Sequence, residues 1–446
     1  MMGSLSSPRR VVIIGAAGRD FHNFNTVFRG DANYRVVAFT AAQIPNIDNR
    51  VYPASLAGDL YPDGIPIVEE AQLEDLIKRE QVDVAVFSYS DVTYDHVMRV
   101  GARINAAGAD MWLLSANHTM VTSTRPLIAI CATRTGVGKS QTSRYVASIL
   151  KEMGKTMVSI RHPMPYGDLA AQACQRFASY DDLDRHRCTI EEREEYEPHI
   201  DNGLVIYAGV DYEQIVRQAE QEADVIVWDG GNNDLPFYAP DLMITLVDPL
   251  RSGDEMHYHP SEVNVLLADV VIVNKCDSAT PSQIDEVIES VKATNPTAEI
   301  VLANSPVTVD DPSLVAGKKV VVVEDGPTVT HGSMSFGAGV VGARAAGAAE
   351  IIDPSPMAVG SLATTYATYP HARGVLPAMG YGDAQIREVE ATIEATDCDA
   401  VVTGTPIDIT RVMSISKPLT RARYELEEHT PGQLAAVIKA KLSSQL

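Results

Sequence analysis

Leu127-Ile-Ala-Ile-Cys-Ala-Thr-Arg-Thr-Gly-Val-Gly-Lys-Ser140 runs from an apolar strand through a glycine turn to Lys-Ser, and Gln141–Met153 continues as an amphipathic helix. Phosphate chemistry needs this order. Backbone N–H groups at a helix start point at an anion, and the helix dipole favours negative charge there. Thr135, Gly136, Val137, Gly138 and Gln141 are read as the nucleotide cradle, with the two glycines leaving room for the backbone to curl. Lys139 is expected to bridge the β- and γ-phosphates, and the Ser140 hydroxyl to hold Mg2+. Thr133 stands where the phosphate-loop pattern has its first glycine.

Working outward, the apolar run Asp224–Trp228 ends at Asp229, where an acidic partner for the magnesium ion belongs. Val270–Val273 ends at Asn274-Lys275-Cys276-Asp277, where Asn274, Lys275 and Asp277 are read as base contacts that leave ATP and GTP undecided. Val11–Ile14, Arg35–Thr40, Val82–Ser88 and Asp110–Ser115 read as strands, with helical spacing at Glu69–Glu80 and Tyr94–Ala107. That alternation predicts a mainly parallel sheet. Residues 1–125 are expected to form a Rossmann-like domain, 126–314 a phosphate-loop nucleotide-binding domain, and 315–446 a smaller α/β region packed on it. The charged stretch Asp181–Glu197 reads as a solvated insertion or helix, and Gln433–Leu442 as a closing helix.

The 446 residues carry a net charge of −23, which argues against nucleic acid as a partner. No apolar run reaches the roughly 20 residues of a membrane span. The cytoplasm is therefore the expected location, with no membrane partner. Five widely spaced cysteines without a CxxC pair read as buried thiols. Cations in an acidic chain stand out. Arg134, Arg144, Arg161, Arg251 and His331 adjoin loops and strand ends, which predicts a second anion beside the nucleotide. His257 and His259 lack a third metal ligand in the sequence.

The chain resembles cyclic 2,3-diphosphoglycerate synthetase. The likeness rests on Gly15-Ala-Ala-Gly-Arg-Asp-Phe-His-Asn-Phe-Asn25, the loop Arg134–Ser140, Trp228-Asp-Gly-Gly-Asn-Asn-Asp234 and Asp248-Pro-Leu-Arg251. It continues in Glu324-Asp-Gly-Pro-Thr328, Thr330-His-Gly332, Leu376-Pro-Ala-Met-Gly-Tyr381 and Gly404-Thr-Pro-Ile-Asp408. The resemblance implies an ATP-dependent ligase. It would pass the γ-phosphoryl group to one phosphate of 2,3-diphosphoglycerate and close an internal phosphoanhydride, releasing ADP and phosphate. It further implies Lys139, Arg134 and Arg144 at the transferring phosphoryl group, and Arg19, His22 and Asn23 at the substrate. A homodimer is the expected assembly. The rival readings are a metallochaperone-type GTPase, a ligase of the dethiobiotin synthetase kind and a nucleotide-dependent switch.

Overall fold

The computed structural model describes residues 7–443, apart from 17, 43–49, 163–166, 232–233, 331, 333 and 379–382. The strands of the described residues form three large mixed or parallel sheets and a two-stranded ribbon. In the first sheet, Tyr34–Ala41, Arg9–Ile14, Val84–Phe87 and Asp110–Trp112 lie side by side and parallel. Tyr94–Ala107 is a helix with the bounds read from its periodicity.

The central sheet places Leu127–Ala132 between Val225–Asp229 and Leu242–Val247, all parallel. Met157–Arg161 and Val270–Val273 lie outside these, again parallel. All five strands are buried throughout. Parallel strands covered on both faces have to be apolar, and these runs are. Leu242–Val247 satisfies the same rule and was not singled out from the sequence. Because the strands are parallel, Arg161, Asp229, the phosphate loop, Asp248 and Asn274 all emerge at one carboxyl edge, where α/β sheets bind ligands.

The third sheet orders Val307–Val309, Leu419–Tyr424, Ala400–Thr403, Lys319–Asp325 and Glu350–Ile351, with Leu376–Ala378 also paired to Lys319–Asp325. Two details cross the boundary drawn at residue 315. Val307–Val309 belongs to this sheet, and Glu427–Glu428 returns to pair with Glu299–Asn304 of the central one. The helix Gln433–Leu442 follows it and inserts Leu434, Ile438 and Leu442 into the core formed by Ile128, Ile130 and Val225.

Of the two readings of Asp181–Glu197, the helix holds and the solvated insertion does not. The stretch folds into the helices Tyr180–Arg185 and Ile190–Asp201, and the second buries Glu192, Glu194, Glu197 and His199. A helix with this many buried acids needs partners for them.

Ile438→Ala leaves a cavity in the central core and is expected to cost about 2–4 kcal/mol. Urea denaturation measures this. A loss below about 0.5 kcal/mol, the range of surface substitutions, would mean the closing helix is not part of that core.

Candidate active site

The phosphate loop is held by its carbonyl oxygens. Arg251 Nη2 donates to Thr135 O at 2.9 Å, Lys275 Nζ to Gly136 O at 2.7 Å, and Asn274 Nδ2 to Val137 O at 2.7 Å. Asp248 Oδ2 lies 3.0 Å from Arg251 Nη2 and 2.9 Å from Lys275 Nζ, fixing both cations. With the carbonyls engaged, N–H groups of the loop are left to an anion. Gly138, at φ +118°, has no room for a Cβ, which would sit 2.2 Å from Asn274 Nδ2. Asn274 and Lys275 thus brace the loop. Asp277 is exposed and accepts from Ser305 N at 3.0 Å.

Lys139 opens the helix Lys139–Glu152 and is buried. Burial, with Arg161 nearby, lowers its pKa to about 8, while Asp229 and Glu195 act in the other direction. Asp229 ends its strand and is 1% exposed. Burial is the largest influence and would raise its pKa, but Arg161, His199 and Lys139 together outweigh it and hold the carboxyl well below its usual range. Arg161 donates from Nη1 to Asp229 Oδ1 and from Nη2 to Glu195 Oε1, each at 2.9 Å. His199 Nε2 lies 3.4 Å from Asp229 Oδ2, which makes no geometrically sound hydrogen bond.

More carboxyls converge here. Thr405 Oγ1 donates to Glu194 Oε1 at 2.6 Å, and the Glu194 and Glu195 side chains are near enough to Asp325 to act on its titration. Burial pushes the Asp325 pKa up. Asp325 accepts from the N–H and hydroxyl of Thr328, and Thr328 lies against Gly136 of the loop. Behind it, burial raises Glu324 to about 7 although the N–H groups of Gly337, Gly339 and Val340 favour its charged form. Buried carboxyls that neighbour one another are eased by a shared proton or an intervening cation.

No family model matches the chain. The arginine synthetase ArcE of Thermococcus kodakarensis is 58% identical over 431 residues, spanning 97% of this chain and 96% of that protein. The chain belongs to the arginine synthetase ArcE family. The cyclic 2,3-diphosphoglycerate synthetase of Pyrococcus furiosus is 21% identical, over 39% of this chain and 44% of its own length. Among solved structures, LpxK of Aquifex aeolicus with ATP has 12% identity and a TM-score of 0.45, covering 72% of this chain and 90% of that one.

Membership of the ArcE family corrects the reading from sequence. The enzyme is an ATP-dependent ligase, as expected, but cyclic 2,3-diphosphoglycerate synthesis and its internal phosphoanhydride are withdrawn, because a full-length relative at 58% identity outweighs a partial one at 21%. The geometry supplies a physical reason. Of the cations expected to cradle a second anion, Arg134 pairs with Asp91 at 2.7 Å and with Asp254, and stacks 3.7 Å above the Tyr258 ring. Arg161 and Arg251 are paired as described above. Arg19, His22 and Asn23 are buried where the first sheet meets the central region. Arg19 bonds Thr119 and the Leu235 carbonyl, His22 stacks 4.2 Å from Phe237, and Asn23 bonds Ser88. His331 lies outside the described residues, as do parts of the tracts at 15–18, 228–234, 330–332 and 376–381. Among the described residues of this set, Arg19 and half-buried Arg144 make no ion pair, and Arg144 donates to the Tyr424 carbonyl.

His257 hydrogen-bonds the Gly253 carbonyl, while His259 packs by Phe87 and Tyr94, so the two do not converge on one point. No helix of the described residues is long and apolar enough to cross a membrane. The sequence reading missed Glu194, Glu195, His199 and Asp325. The signal available was the density of glutamate after the Thr189-x-x-Glu192 capping box.

Lys139 yields a signed pH prediction. Below about 8 its ammonium is present to meet phosphate, and above that the free protein holds a neutral amine. ATP affinity is expected to be level from about pH 7 to 8, then to fall about tenfold per unit as pH rises further. Calorimetry across that range also reads the matching proton uptake. A level affinity to pH 10 would remove the lysine from phosphate binding.

Proposed function

We propose that this chain makes arginine from its ureido counterpart, ammonia and ATP. The observation that carries the reading is the carboxyl cluster Glu194, Glu195 and Asp325 beside the phosphate loop, in a member of the ArcE family. Carboxylates repel a second polyphosphate but suit a guanidinium.

The chemistry follows from the product. Arginine differs from citrulline by a nitrogen in place of the ureido oxygen, and that oxygen is a poor leaving group until it is phosphorylated. The ureido oxygen attacks the γ-phosphorus, the bond to the β-bridging oxygen breaks, and ADP leaves. The O-phospho-isouronium so formed carries positive charge on its carbon centre. Ammonia adds to that carbon, and the C–O bond breaks with its electron pair going to phosphate. The surplus proton leaves with it as hydrogen phosphate.

Each side of the site has a task in this scheme. Lys139 and the loop N–H groups neutralise charge on the transferring phosphoryl group. Glu194, Glu195 and Asp325 stabilise the cation that develops on the ureido carbon and hold it in line. Ser140 and Asp229 fit a magnesium ion, since Asp229 Oδ2 is buried without a sound hydrogen bond. Such an ion would supply further neutralisation of the triphosphate.

Incubation with Mg-ATP, citrulline and ammonium is expected to yield arginine, ADP and phosphate in equal amounts, detected by chromatography. Lys139→Ala is expected to lower the rate by at least about 100-fold with the fold retained. ATP hydrolysis without arginine would overturn the reading.

A further inference from the structure

A cavity of about 560 Å³ lies beside the helix Lys139–Glu152, within the usual range for small-molecule sites. Gln141, Arg144, Thr405, Arg421, Tyr424 and Glu425 are among its lining residues. Arg144 and Arg421 are two of the guanidiniums on its lining. Arg144 Nη2 donates to the Tyr424 carbonyl at 3.1 Å, and Arg421 Nη2 to the Pro406 carbonyl at 2.7 Å. Neither guanidinium is ion-paired among the described residues, and Arg421 Nε is buried without a partner. Burial, together with the neighbouring Arg423, lowers the pKa of Arg421, so its charge is held at a cost.

The same lining reaches the acidic cluster through one residue. Thr405 lines the cavity and donates to Glu194. The Tyr424 side chain is half-buried, and its hydroxyl senses both Arg144 and the carboxyls of Asp325, Glu194 and Glu324. Gln141, in the first turn after the phosphate loop, is 2% exposed, and its Nε2 has no hydrogen-bond partner. The cavity therefore joins a pair of unpaired guanidiniums to the carboxyls where the ureido group is activated.

We propose that this cavity seats the amino-acid substrate, with its α-carboxylate on Arg144 and Arg421 and its ureido or guanidinium end on Glu194 and Asp325. This rests on the arginine-forming reading above. An uncharged nucleoside gives two guanidiniums no anion to meet, whereas an α-carboxylate gives both a partner in Arg–carboxylate geometry. Exposed Glu425 on the lining is left for the α-ammonium group. The site then selects an amino acid over the same side chain lacking its carboxylate.

The test compares the full-length protein with Arg421→Gln and Arg144→Gln, using citrulline and its decarboxylated amine with ATP and ammonium. Each variant is expected to raise KM for citrulline about 10- to 100-fold while KM for ATP changes less than about twofold. The wild-type preference for citrulline over the amine is expected to collapse in both. Thermal unfolding and the unchanged ATP constant separate this from a folding defect. A raised ATP KM with an unaltered citrulline KM would make the cavity the nucleoside pocket and overturn the proposal. So would unaltered constants throughout. Arginine formation by the wild type with either result sinks this inference alone, whereas no arginine from the wild type sinks the functional reading with it.

Discussion

Arg161 is buried at the end of its strand, and a buried guanidinium must be met by carboxylates or leave charge unpaired in a low dielectric. Asp229 meets it from the neighbouring strand and Glu195 from the helix Ile190–Asp201. This bridge draws an acid-rich helix onto the carboxyl edge of the central sheet. It brings Glu194 and His199 with it, and it sets the charge around Lys139. Removing either carboxylate would leave a buried cation short of a partner, which costs far more than a surface pair contributes.

The same economy of pairing governs the phosphate loop. The central region holds it through Asp248, Arg251, Lys275 and Asn274, but other regions reach it as well. Asp91, from beyond the strand Val84–Phe87 of the first sheet, takes Arg134 Nε and the Thr135 hydroxyl, the latter at 2.6 Å. Gly332 and Thr328, from the region of the third sheet, meet Arg251 and Gly136. All three sheets thus contribute to the surroundings of one short loop, and the acidic cluster is assembled from the second and third.

What could be read from sequence was what local physics determines. Leu127–Ala132, Val270–Val273 and Ala400–Thr403 are apolar runs with one sensible fate, and the glycine turn before Lys139 has few others. The acidic cluster was not legible. Glu194 meets Thr405 across 211 residues, and a glutamate-dense stretch reads as a solvated face until that contact is known. Pairing misled in the other direction. Arg134, Arg161 and Arg251 look like anion receptors in a sequence, whereas in the fold their carboxylate partners come from elsewhere. The resemblance to cyclic 2,3-diphosphoglycerate synthetase failed for a related reason. Asp248, Arg251, Thr328 and Gly332 belong to the shared tracts, and in the structure they brace the phosphate loop. Tracts that position a loop report a scaffold, not the molecule the loop phosphorylates.

The central claim is that the loop phosphorylates a ureido oxygen held among carboxyls. The most direct test uses citrulline carrying oxygen-18 in its ureido group, with Mg-ATP and ammonium, and reads the released phosphate by phosphorus NMR. The account predicts one labelled oxygen in each phosphate formed with arginine. Arginine formed with unlabelled phosphate would contradict it, because the ureido oxygen would then have left without ever being bonded to phosphorus.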